Sequence, residues 1–445
     1  MSTLTTSGVA WPAPVAAGPL DAVVPVPGSK SLTNRYLLLA AIAAEPTQLH
    51  RPLHSRDSAL MVDALRALGV RVEHVDADGR PDPEGPDLLV DPGPLRGPAR
   101  VDCGLAGTVM RFVPPLAALA DGAVEFDGDP RARERPMGAL IDALRDLGAQ
   151  VDDDGRAAMP FTVHGTGGLP GGTVEVDAGA SSQFVSGLLL VAPALARGLD
   201  LRRVGPMPSQ PHVAMTVDVL RERGAVVEVT AGEDGEPARW RVEPGQIAGG
   251  LVPVEPDLSN AGPFLAAALV AGGKVQVPDW PARTSQAGDR LRELLVQLGA
   301  TVELGPAGLT VTGTGSIRPL DVDLSDAGEL TPVVAALCTL AEGPSRIRGV
   351  AHLRGHETDR IAALATEINR LGGAARETDD GLEIEPGVLR PARLETYADH
   401  RMAHFAAVVG LRVKGTQIVD VATTSKTLPD FTGMWTDMVA TGGRG

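Results

Sequence analysis

Residue types that bind anions recur in this sequence at the starts of apolar segments and in the loops between them. Lys30 and Arg35 lie at the start of one apolar segment, and Arg401 lies at the start of another. Arginine can meet a carboxylate or phosphate through two hydrogen bonds, whereas lysine acts as a mobile point charge. The other candidates are Ser31, Gly107, Arg131, Ser181, Ser182, Gln183, Ser209, Arg360 and Lys426. Together they predict a site for a ligand with phosphate and carboxylate groups.

Carboxylates and histidines lie among these cations. Glu329 lies in SDAGELTP, and His356 and Glu357 lie in GHETDR. Two histidine pairs have the i, i+4 spacing of metal ligands on a helix, His352 with His356 and His400 with His404. Because the neighbouring residues are arginines, which would repel a cation, no metal site is expected.

The elements that must position these residues recur along the chain. Six segments are amphipathic at the helical period and end at a glycine suited to a left-handed C-cap, and the first five continue with a strand-like alternation. The segments begin at Asp57, Met137, Ala214, Gly288, Thr358 and, with a weaker pattern, Thr432. They start roughly every 70 to 80 residues, which is longer than the common solenoid repeats.

A second type of helix alternates with the first. Each of its six segments has a polar start of small residues and then an almost wholly apolar stretch, which is typical of a buried helix. They begin at Val26, Asp102, Asp177, Glu255, Asp323 and Tyr397. The polar groups of such a helix lie in its first turn, at the positive end of its dipole. Several of these ends converging would form an anion-binding site.

The composition favours a large globular protein and excludes several partner classes. With 445 residues the chain exceeds what one core usually serves, so two domains are expected. Hydrophobic residues make up 43% of the chain and aromatic residues only 3%, so Ala, Val and Leu must build the core. The net charge of -16 argues against nucleic acid or an anionic membrane as a partner.

The cysteines and the N-terminal region favour a cytoplasmic protein. Cys103 and Cys338 are too few for a disulfide framework, and both are expected to be buried packing residues. No basic residue precedes Lys30, and no uninterrupted apolar run reaches about 18 residues. Neither a secretory signal nor a membrane span is therefore expected. We expect a monomer.

Seven segments, in this order, resemble the 5-enolpyruvylshikimate-3-phosphate synthase family, the 3-phosphoshikimate 1-carboxyvinyltransferases. The segments are PGSKSLTNR, LAGTVMRF, DPRARERPMGALIDAL, SSQF, HETDR, DHRMA and SKTLPD. The resemblance runs from about Pro25 to the C-terminus. It implies an α/β (α+β) fold of two domains, each with three βαβαββ repeats around buried parallel helices, an inside-out α/β barrel. It further implies that residues 1–26 and 255–445 form one domain, that residues 27–254 form the other, and that the active site lies in the cleft between them.

The same resemblance implies transfer of the enolpyruvyl group of phosphoenolpyruvate to the 5-hydroxyl of shikimate 3-phosphate, with release of phosphate and without a cofactor. The positions matched to shikimate 3-phosphate are Lys30, Ser31, Arg35, Ser181, Ser182, Gln183, Ser209, Glu329 and His356. Those matched to phosphoenolpyruvate are Lys30, Gly107, Arg131, Gln183, Arg360, Arg401 and Lys426. Because the hydroxyl must lose a proton while C3 of the enol gains one, the reaction needs a base and an acid. Glu329 is expected to take the hydroxyl proton, and Glu357 with Lys30 to protonate C3.

This sequence departs from the family pattern at four positions. Many relatives have Asp, Lys, Asn and Tyr where this chain has Glu329, His356, Leu105 and His212. Glu329 keeps the carboxylate but moves it by one methylene, so Asp326 is a nearby rival for its role. His356 would resemble lysine only in its protonated form. Leu105 cannot donate the hydrogen bonds that Asn would.

Two other functions stay open on the sequence alone. An enolpyruvyl transferase that acts on UDP-N-acetylglucosamine shares the fold and the reaction type, but it carries a loop cysteine that GDPRARERP lacks. A non-catalytic anion-binding scaffold would have no need of two carboxylates amid so many cations. SSQF and SKTLPD favour the shikimate enzyme. Since Gly107 leaves room beside the phosphoenolpyruvate site, inhibition by glyphosate in competition with phosphoenolpyruvate is expected.

Overall fold

The computed structural model describes residues 10–442, which divide into two compact units. The continuous unit is Pro27–Glu255, and the discontinuous unit combines Met1–Val26 with Pro256–Gly445. Residues 1–9 and 443–445, which the sequence placed in the discontinuous domain, lie outside the described residues. Glu255 belongs to the continuous unit, where its carbonyl accepts a hydrogen bond from the Ser29 amide (2.7 Å).

Apart from the single-turn helix Pro130–Arg133, the helices fall into the two predicted types. Those of the continuous unit are α1 (Lys30–Ala41), α2 (Arg56–Ala67), α3 (Gly107–Ala117), α4 (Pro130–Arg133), α5 (Gly138–Asp146), α6 (Gln183–Val191) and α7 (Pro211–Glu222). Those of the discontinuous unit are α8 (Leu258–Ala271), α9 (Leu291–Gln297), α10 (Thr331–Thr339), α11 (Arg360–Arg370), α12 (His400–Gly410) and α13 (Phe431–Ala440). Helices α1, α3, α6, α8, α10 and α12 are buried along nearly their whole length, as their apolar runs predicted.

The strands are short and are interspersed with these helices along the chain. The continuous unit contains β3 (Thr47–His50), β4 (Arg71–Val75), β5 (Asp87–Asp91), β6 (Ala99–Asp102), β7 (Asp121–Asp127), β8 (Gln150–Asp152), β9 (Phe161–Thr166), β10 (Gly172–Asp177), β11 (Leu199–Val204), β12 (Val227–Ala231), β13 (Pro237–Val242) and β14 (Gly250–Pro253). The discontinuous unit contains β1 (Ala10–Pro12), β2 (Leu20–Val23), β15 (Gly273–Val277), β16 (Thr301–Gly305), β17 (Gly308–Gly313), β18 (Asp321–Asp323), β19 (Ser345–Arg348), β20 (Ala374–Glu377), β21 (Leu382–Glu385), β22 (Arg393–Leu394) and β23 (Gln417–Val419). Short 3₁₀ helices occupy Ala192–Ala194, Ala287–Arg290, Gly328–Leu330, Ala351–Gly355 and Val421–Lys426.

One sheet topology recurs through both units. In the order β6-β7-β9-β8 the first two strands are parallel, and β9 pairs antiparallel with both of its neighbours. The same order recurs in β10-β11-β13-β12, β14-β3-β5-β4, β2-β15-β17-β16 and β18-β19-β21-β20. In the remaining sheet β22 and β23 are parallel, and β1 pairs antiparallel with β23. The continuous unit therefore holds three βαβαββ-type repeats, and the discontinuous unit holds two such repeats and a third whose sheet has three strands among residues 10–442. This confirms the predicted fold class.

Glycines end the amphipathic helices as the sequence predicted. Five of them have φ between 85° and 109°, a range that a side chain disfavours. They are Gly69, Gly148, Gly224, Gly299 and Gly372. Each is followed by an edge strand of its sheet, and these strands are β4, β8, β12, β16 and β20. The buried apolar residues form a separate core in each unit, and Cys103 and Cys338 are buried within these cores, as expected.

Across residues 10–442 the structure contains no helix that is both long enough and apolar enough to cross a membrane.

Candidate active site

The N-terminus of α1 presents Lys30 beside a carboxylate. Ser29 caps the helix, since its hydroxyl accepts a hydrogen bond from the Leu32 amide. The Lys30 ammonium lies 3.4 Å from Oδ2 of Asp57, which is buried at the start of α2. The Lys30 side chain keeps 22% of its surface exposed, so a ligand can still reach its charge. Asp57 orients this lysine and was not among the predicted residues.

Arg35 lies one turn further along α1, in the interior of the continuous unit. Its Nε donates to Oγ1 of Thr216 (2.8 Å) and its Nη2 to the carbonyl of His212 (2.8 Å). Nη1 donates to the carbonyl of Ser31 (2.9 Å). Burial lowers the pKa of Arg35 to about 9, so the guanidinium stays charged at neutral pH. These bonds tie α1 to α7, a structural role that the sequence did not predict for this residue.

Four residues of the continuous unit converge at the start of α3. A Cβ added to Gly107 would lie 3.1 Å from Oε1 of Gln183, 3.2 Å from Nη1 of Arg111 and 3.4 Å from Nη1 of Arg135. The predicted residues Gly107 and Gln183 are therefore neighbours, and two further arginines join them. Arg111 could have been found from its spacing, because it follows Gly107 by four residues and so lies on the same helix face.

The start of α6 is polar and lacks a side-chain cap. The Gln183 amide donates to Oγ of Ser181 (3.2 Å), and Ser182 is buried beside it. Oε1 of Gln183 is buried without a hydrogen-bond partner among residues 10–442. An unpaired buried acceptor is costly, so this oxygen is suited to accept a bond from a ligand.

The last two predicted residues of the continuous unit lie in loops or short helices. Ser209 has φ of 53°, a left-handed conformation, just before α7. Arg131 lies on the single-turn helix α4 and forms an ion pair with Glu134 at the half-exposed surface.

Arg360 is the centre of a charged cluster in the discontinuous unit. It begins α11, and its side chain is 3% exposed. Nε donates to Oδ2 of Asp399 (2.7 Å), and Nη2 donates both to Oδ1 of Asp399 (3.2 Å) and to Oε2 of Glu357 (2.9 Å). Burial alone would lower the pKa of Arg360, but Asp399 and Glu357 raise it overall. The guanidinium is thus permanently charged and fixed in direction.

Arg401 and Glu329 join this cluster through Ser259. Nη1 of Arg401 donates to the Ser259 carbonyl (2.9 Å), and the Ser259 hydroxyl donates to Oε1 of Glu329 (3.4 Å). Burial lowers the pKa of Arg401, while Glu329 and other carboxylates act in the opposite direction. The Arg401 amide donates to Oδ1 of Asp399 (2.8 Å), so one aspartate contacts both arginines. Asp399 was missed, although an Asp directly before an apolar helix is an N-cap signal.

Lys426 and His356 complete the cluster. The Lys426 ammonium donates to the carbonyl of Ala398, the residue before Asp399. Nδ1 of His356 lies 3.3 Å from Nη1 of Arg360 and 3.9 Å from Oε2 of Glu357.

Asp326, the alternative to Glu329 as proton acceptor, forms an ion pair with Arg290. It binds Nη1 of Arg290 through Oδ2 (2.6 Å), and its side chain is 46% exposed.

The two histidine pairs do not form a metal centre. Among residues 10–442, no three His, Cys, Asp or Glu side chains are arranged to hold a metal ion. His352 lies in a 3₁₀ helix, and His400 and His404 lie buried in α12 with ring centres 5.9 Å apart. Burial, reinforced by Arg401 and Arg360, lowers the pKa of His404 well below its usual value.

The two clusters differ in what they can do chemically. The one around Gly107 offers guanidinium groups, an amide and uncapped helix amides, which are anion ligands. The one around Arg360 adds the carboxylates of Glu329 and Glu357, which can accept or donate protons beside a bound anion.

Comparisons with known proteins bear on the family of this chain. A family model described as EPSP synthase (3-phosphoshikimate 1-carboxyvinyltransferase) matches residues 15–435. A 3-phosphoshikimate 1-carboxyvinyltransferase from Kocuria rhizophila is 59% identical over 440 residues, which cover 97% of each chain.

Two solved structures resemble this chain in fold. An EPSP synthase from Acinetobacter baumannii is 24% identical with a TM-score of 0.77, covering 96% of this chain and 97% of that one. The enolpyruvyl transferase NikO from Streptomyces tendae is 18% identical with a TM-score of 0.71, covering 95% of this chain and 96% of that one.

Proposed function

Because the chain belongs to the EPSP synthase family, we propose that it transfers the enolpyruvyl group of phosphoenolpyruvate to the 5-hydroxyl of shikimate 3-phosphate and releases phosphate. The observation that carries the proposal is the cluster in which two buried arginines, Arg360 and Arg401, lie with the carboxylate of Glu329. Such a cluster can hold an anionic substrate and move a proton beside it. A binding scaffold would need only the cations.

The predicted ligands divide between the substrates. For phosphoenolpyruvate we propose Lys30, Gly107, Arg131, Gln183, Arg360, Arg401 and Lys426. For shikimate 3-phosphate we propose Lys30, Ser31, Arg35, Ser181, Ser182, Gln183, Ser209, Glu329 and His356. Arg35 would act through Ser31, whose carbonyl it binds, since its guanidinium is buried. To these sets we add Arg111 and Arg135, because both reach Gly107.

The proposed reaction passes through a tetrahedral adduct. The 5-hydroxyl oxygen bonds to C2 of phosphoenolpyruvate while Glu329 takes the hydroxyl proton. C3 gains a proton, for which Glu357 with Lys30 is the proposed donor. Glu357 with Lys30 then takes a proton back from C3, and the C2–C3 double bond forms again. The bond from C2 to the phosphate oxygen breaks with its electron pair leaving on the phosphate, which finally carries the proton taken from the hydroxyl. The surrounding arginines and lysines stabilise the departing phosphate.

The chemistry requires no metal or organic cofactor, and none is proposed. We further propose that the enzyme acts as a cytoplasmic monomer. Two buried, unpaired cysteines are consistent with a reducing compartment.

The test is phosphate release from phosphoenolpyruvate with two alternative acceptors. We expect turnover with shikimate 3-phosphate and none with UDP-N-acetylglucosamine. Turnover with UDP-N-acetylglucosamine alone would identify the other transferase, and no turnover with either acceptor would support the scaffold.

A further inference from the structure

The segment Thr396–Asp399, which joins β22 to α12, has a strained backbone. Tyr397 and Ala398 are consecutive non-glycine residues with φ of 54° and 53°. Residues with a side chain rarely adopt this left-handed region, and they remain there only when their surroundings hold them. The segment therefore depends on contacts outside itself.

A buried carboxylate on α11 provides these contacts. The hydroxyl of Tyr397 donates to Oε1 of Glu367 (2.5 Å), and the amide of Glu395 donates to Oε2 (3.2 Å). Glu367 is fully buried, and its Oε2 also lies 3.5 Å from Nε of Arg370. One carboxylate thus binds the chain at residue 395, before the strained pair, and at residue 397, the first residue of that pair.

The C-terminal side of the same segment contacts the proposed phosphoenolpyruvate ligands. Ala398 offers its carbonyl to the Lys426 ammonium. Asp399 binds the guanidinium of Arg360 and the backbone amide of Arg401. A shift of this short segment would therefore move three cations together.

We propose that Glu367 and Tyr397 are positioning residues, which hold Thr396–Asp399 so that Arg360, Arg401 and Lys426 bind phosphoenolpyruvate. The inference rests on the proposed function. Both residues act through the backbone of the segment, so their loss should weaken phosphoenolpyruvate binding and leave shikimate 3-phosphate binding nearly unchanged.

The test compares the chain's two tyrosines, because each donates to a glutamate. Tyr397→Phe removes the bond to Glu367, and Tyr36→Phe removes a bond to Glu222 (2.7 Å) in the continuous unit. We expect the KM for phosphoenolpyruvate to rise roughly three- to tenfold in Tyr397→Phe and to stay unchanged in Tyr36→Phe. The KM for shikimate 3-phosphate should stay within about twofold of wild type in both variants. Glu367→Gln keeps an acceptor for Tyr397 but turns an NH2 donor toward the Glu395 amide, so the KM for phosphoenolpyruvate should rise in this variant too. An equal KM in both tyrosine variants would overturn the inference.

A second readout on the same variants does not depend on turnover. Amide hydrogen exchange in residues 395–402 should be faster in Tyr397→Phe than in wild type or Tyr36→Phe. Unchanged exchange there would overturn the inference even if the enzyme proved inactive, whereas an inactive wild type would count only against the proposed function.

Discussion

The two units treat the N-termini of their buried helices differently. In the continuous unit, α3 and α6 begin without a side-chain cap, at Gly107 and Gln183. In the discontinuous unit, Asp257 and Asp399 cap α8 and α12, and each carboxylate accepts a helix amide. Amides without a side-chain acceptor, such as the first amides of α3, can bind an anion, whereas the capped amides, and the Gln183 amide that donates to Ser181, are already satisfied. The continuous unit thus offers backbone amides to a ligand, and the discontinuous unit offers a guanidinium, that of Arg360, which Asp399 orients.

One buried helix in each unit departs from this contrast, and each of the two begins beside a residue proposed to transfer a proton. In the continuous unit α1 has a Ser29 cap, and its first residue is Lys30. In the discontinuous unit α10 lacks a side-chain cap, and Glu329 lies in the 3₁₀ turn before it. Both proposed proton-transfer carboxylates, Glu329 and Glu357, belong to the discontinuous unit. The comparison therefore assigns anion binding to both units and carboxylate chemistry to one.

The largest expected effect on stability comes from the aspartate cap that also binds an arginine. Asp399→Asn keeps an acceptor for the Arg401 amide but removes the charge that faces the buried Arg360. Breaking a buried ion pair should lower the free energy of unfolding by about 3 kcal/mol. The control is Ser29, the uncharged cap of α1 in the continuous unit. Ser29→Ala should lower the free energy of unfolding by only about 1 kcal/mol. Urea denaturation measures both, and equal losses would contradict the contrast.

Arg360→Lys should chiefly affect binding. Lysine cannot reproduce the forked contacts with Asp399 and Glu357, so the KM for phosphoenolpyruvate should rise roughly 10- to 100-fold. Arg412→Lys is the matched control, because Arg412 donates to the carbonyls of Val270 and Leu340 at helix C-termini. Steady-state kinetics should show a normal KM for that variant. A similar rise in both would mean that the effect is structural.

Gly107→Ala probes the uncapped helix of the continuous unit. Its new methyl group would lie 3.1 to 3.4 Å from Gln183, Arg111 and Arg135, so these side chains must shift. We expect a rise of roughly fivefold in the KM for phosphoenolpyruvate and weaker inhibition by glyphosate. Gly168→Ala, where a Cβ would meet nothing within 4 Å, should leave both unchanged. Unaltered glyphosate inhibition of Gly107→Ala would argue against this placement.

The smallest effect concerns pH. His404 is buried beside Arg401, and its pKa in the folded protein is well below 6.5, so below that pH the unfolded chain binds a proton that the folded one does not. Stability should therefore fall as the pH drops below about 6.5, by up to roughly 1.4 kcal/mol per pH unit. His404→Leu should reduce this slope, and the exposed His54→Gln should not. Denaturation midpoints at successive pH values measure the slopes.

Much of the fold could be predicted because its signals are local. A glycine after an amphipathic helix marks a helix end wherever it occurs, and Gly69, Gly148 and Gly299 all adopt the expected positive φ. An apolar run likewise predicts a buried helix without reference to the rest of the chain.

The side-chain contacts of the site could not be predicted from the sequence, because they join residues that are distant along the chain. Arg360 and Asp399 are 39 residues apart, and no periodicity links them. Arg35 could be recognised as a cation at a helix start, but not as one whose bonds reach Thr216. The left-handed Tyr397 and Ala398 carry no glycine signal at all. The roles of the predicted site residues stay predictions.

The most direct test of the contrast is steady-state phosphate release by one variant from each unit, Glu329→Gln and Gln183→Ala. Loss of a proton acceptor should lower kcat of Glu329→Gln by about a hundredfold or more, with the KM for phosphoenolpyruvate nearly unchanged. Loss of an anion ligand should raise the KM for phosphoenolpyruvate in Gln183→Ala and largely preserve kcat. A normal kcat in Glu329→Gln, with the change confined to KM, would contradict the assignment of the carboxylate chemistry to the discontinuous unit.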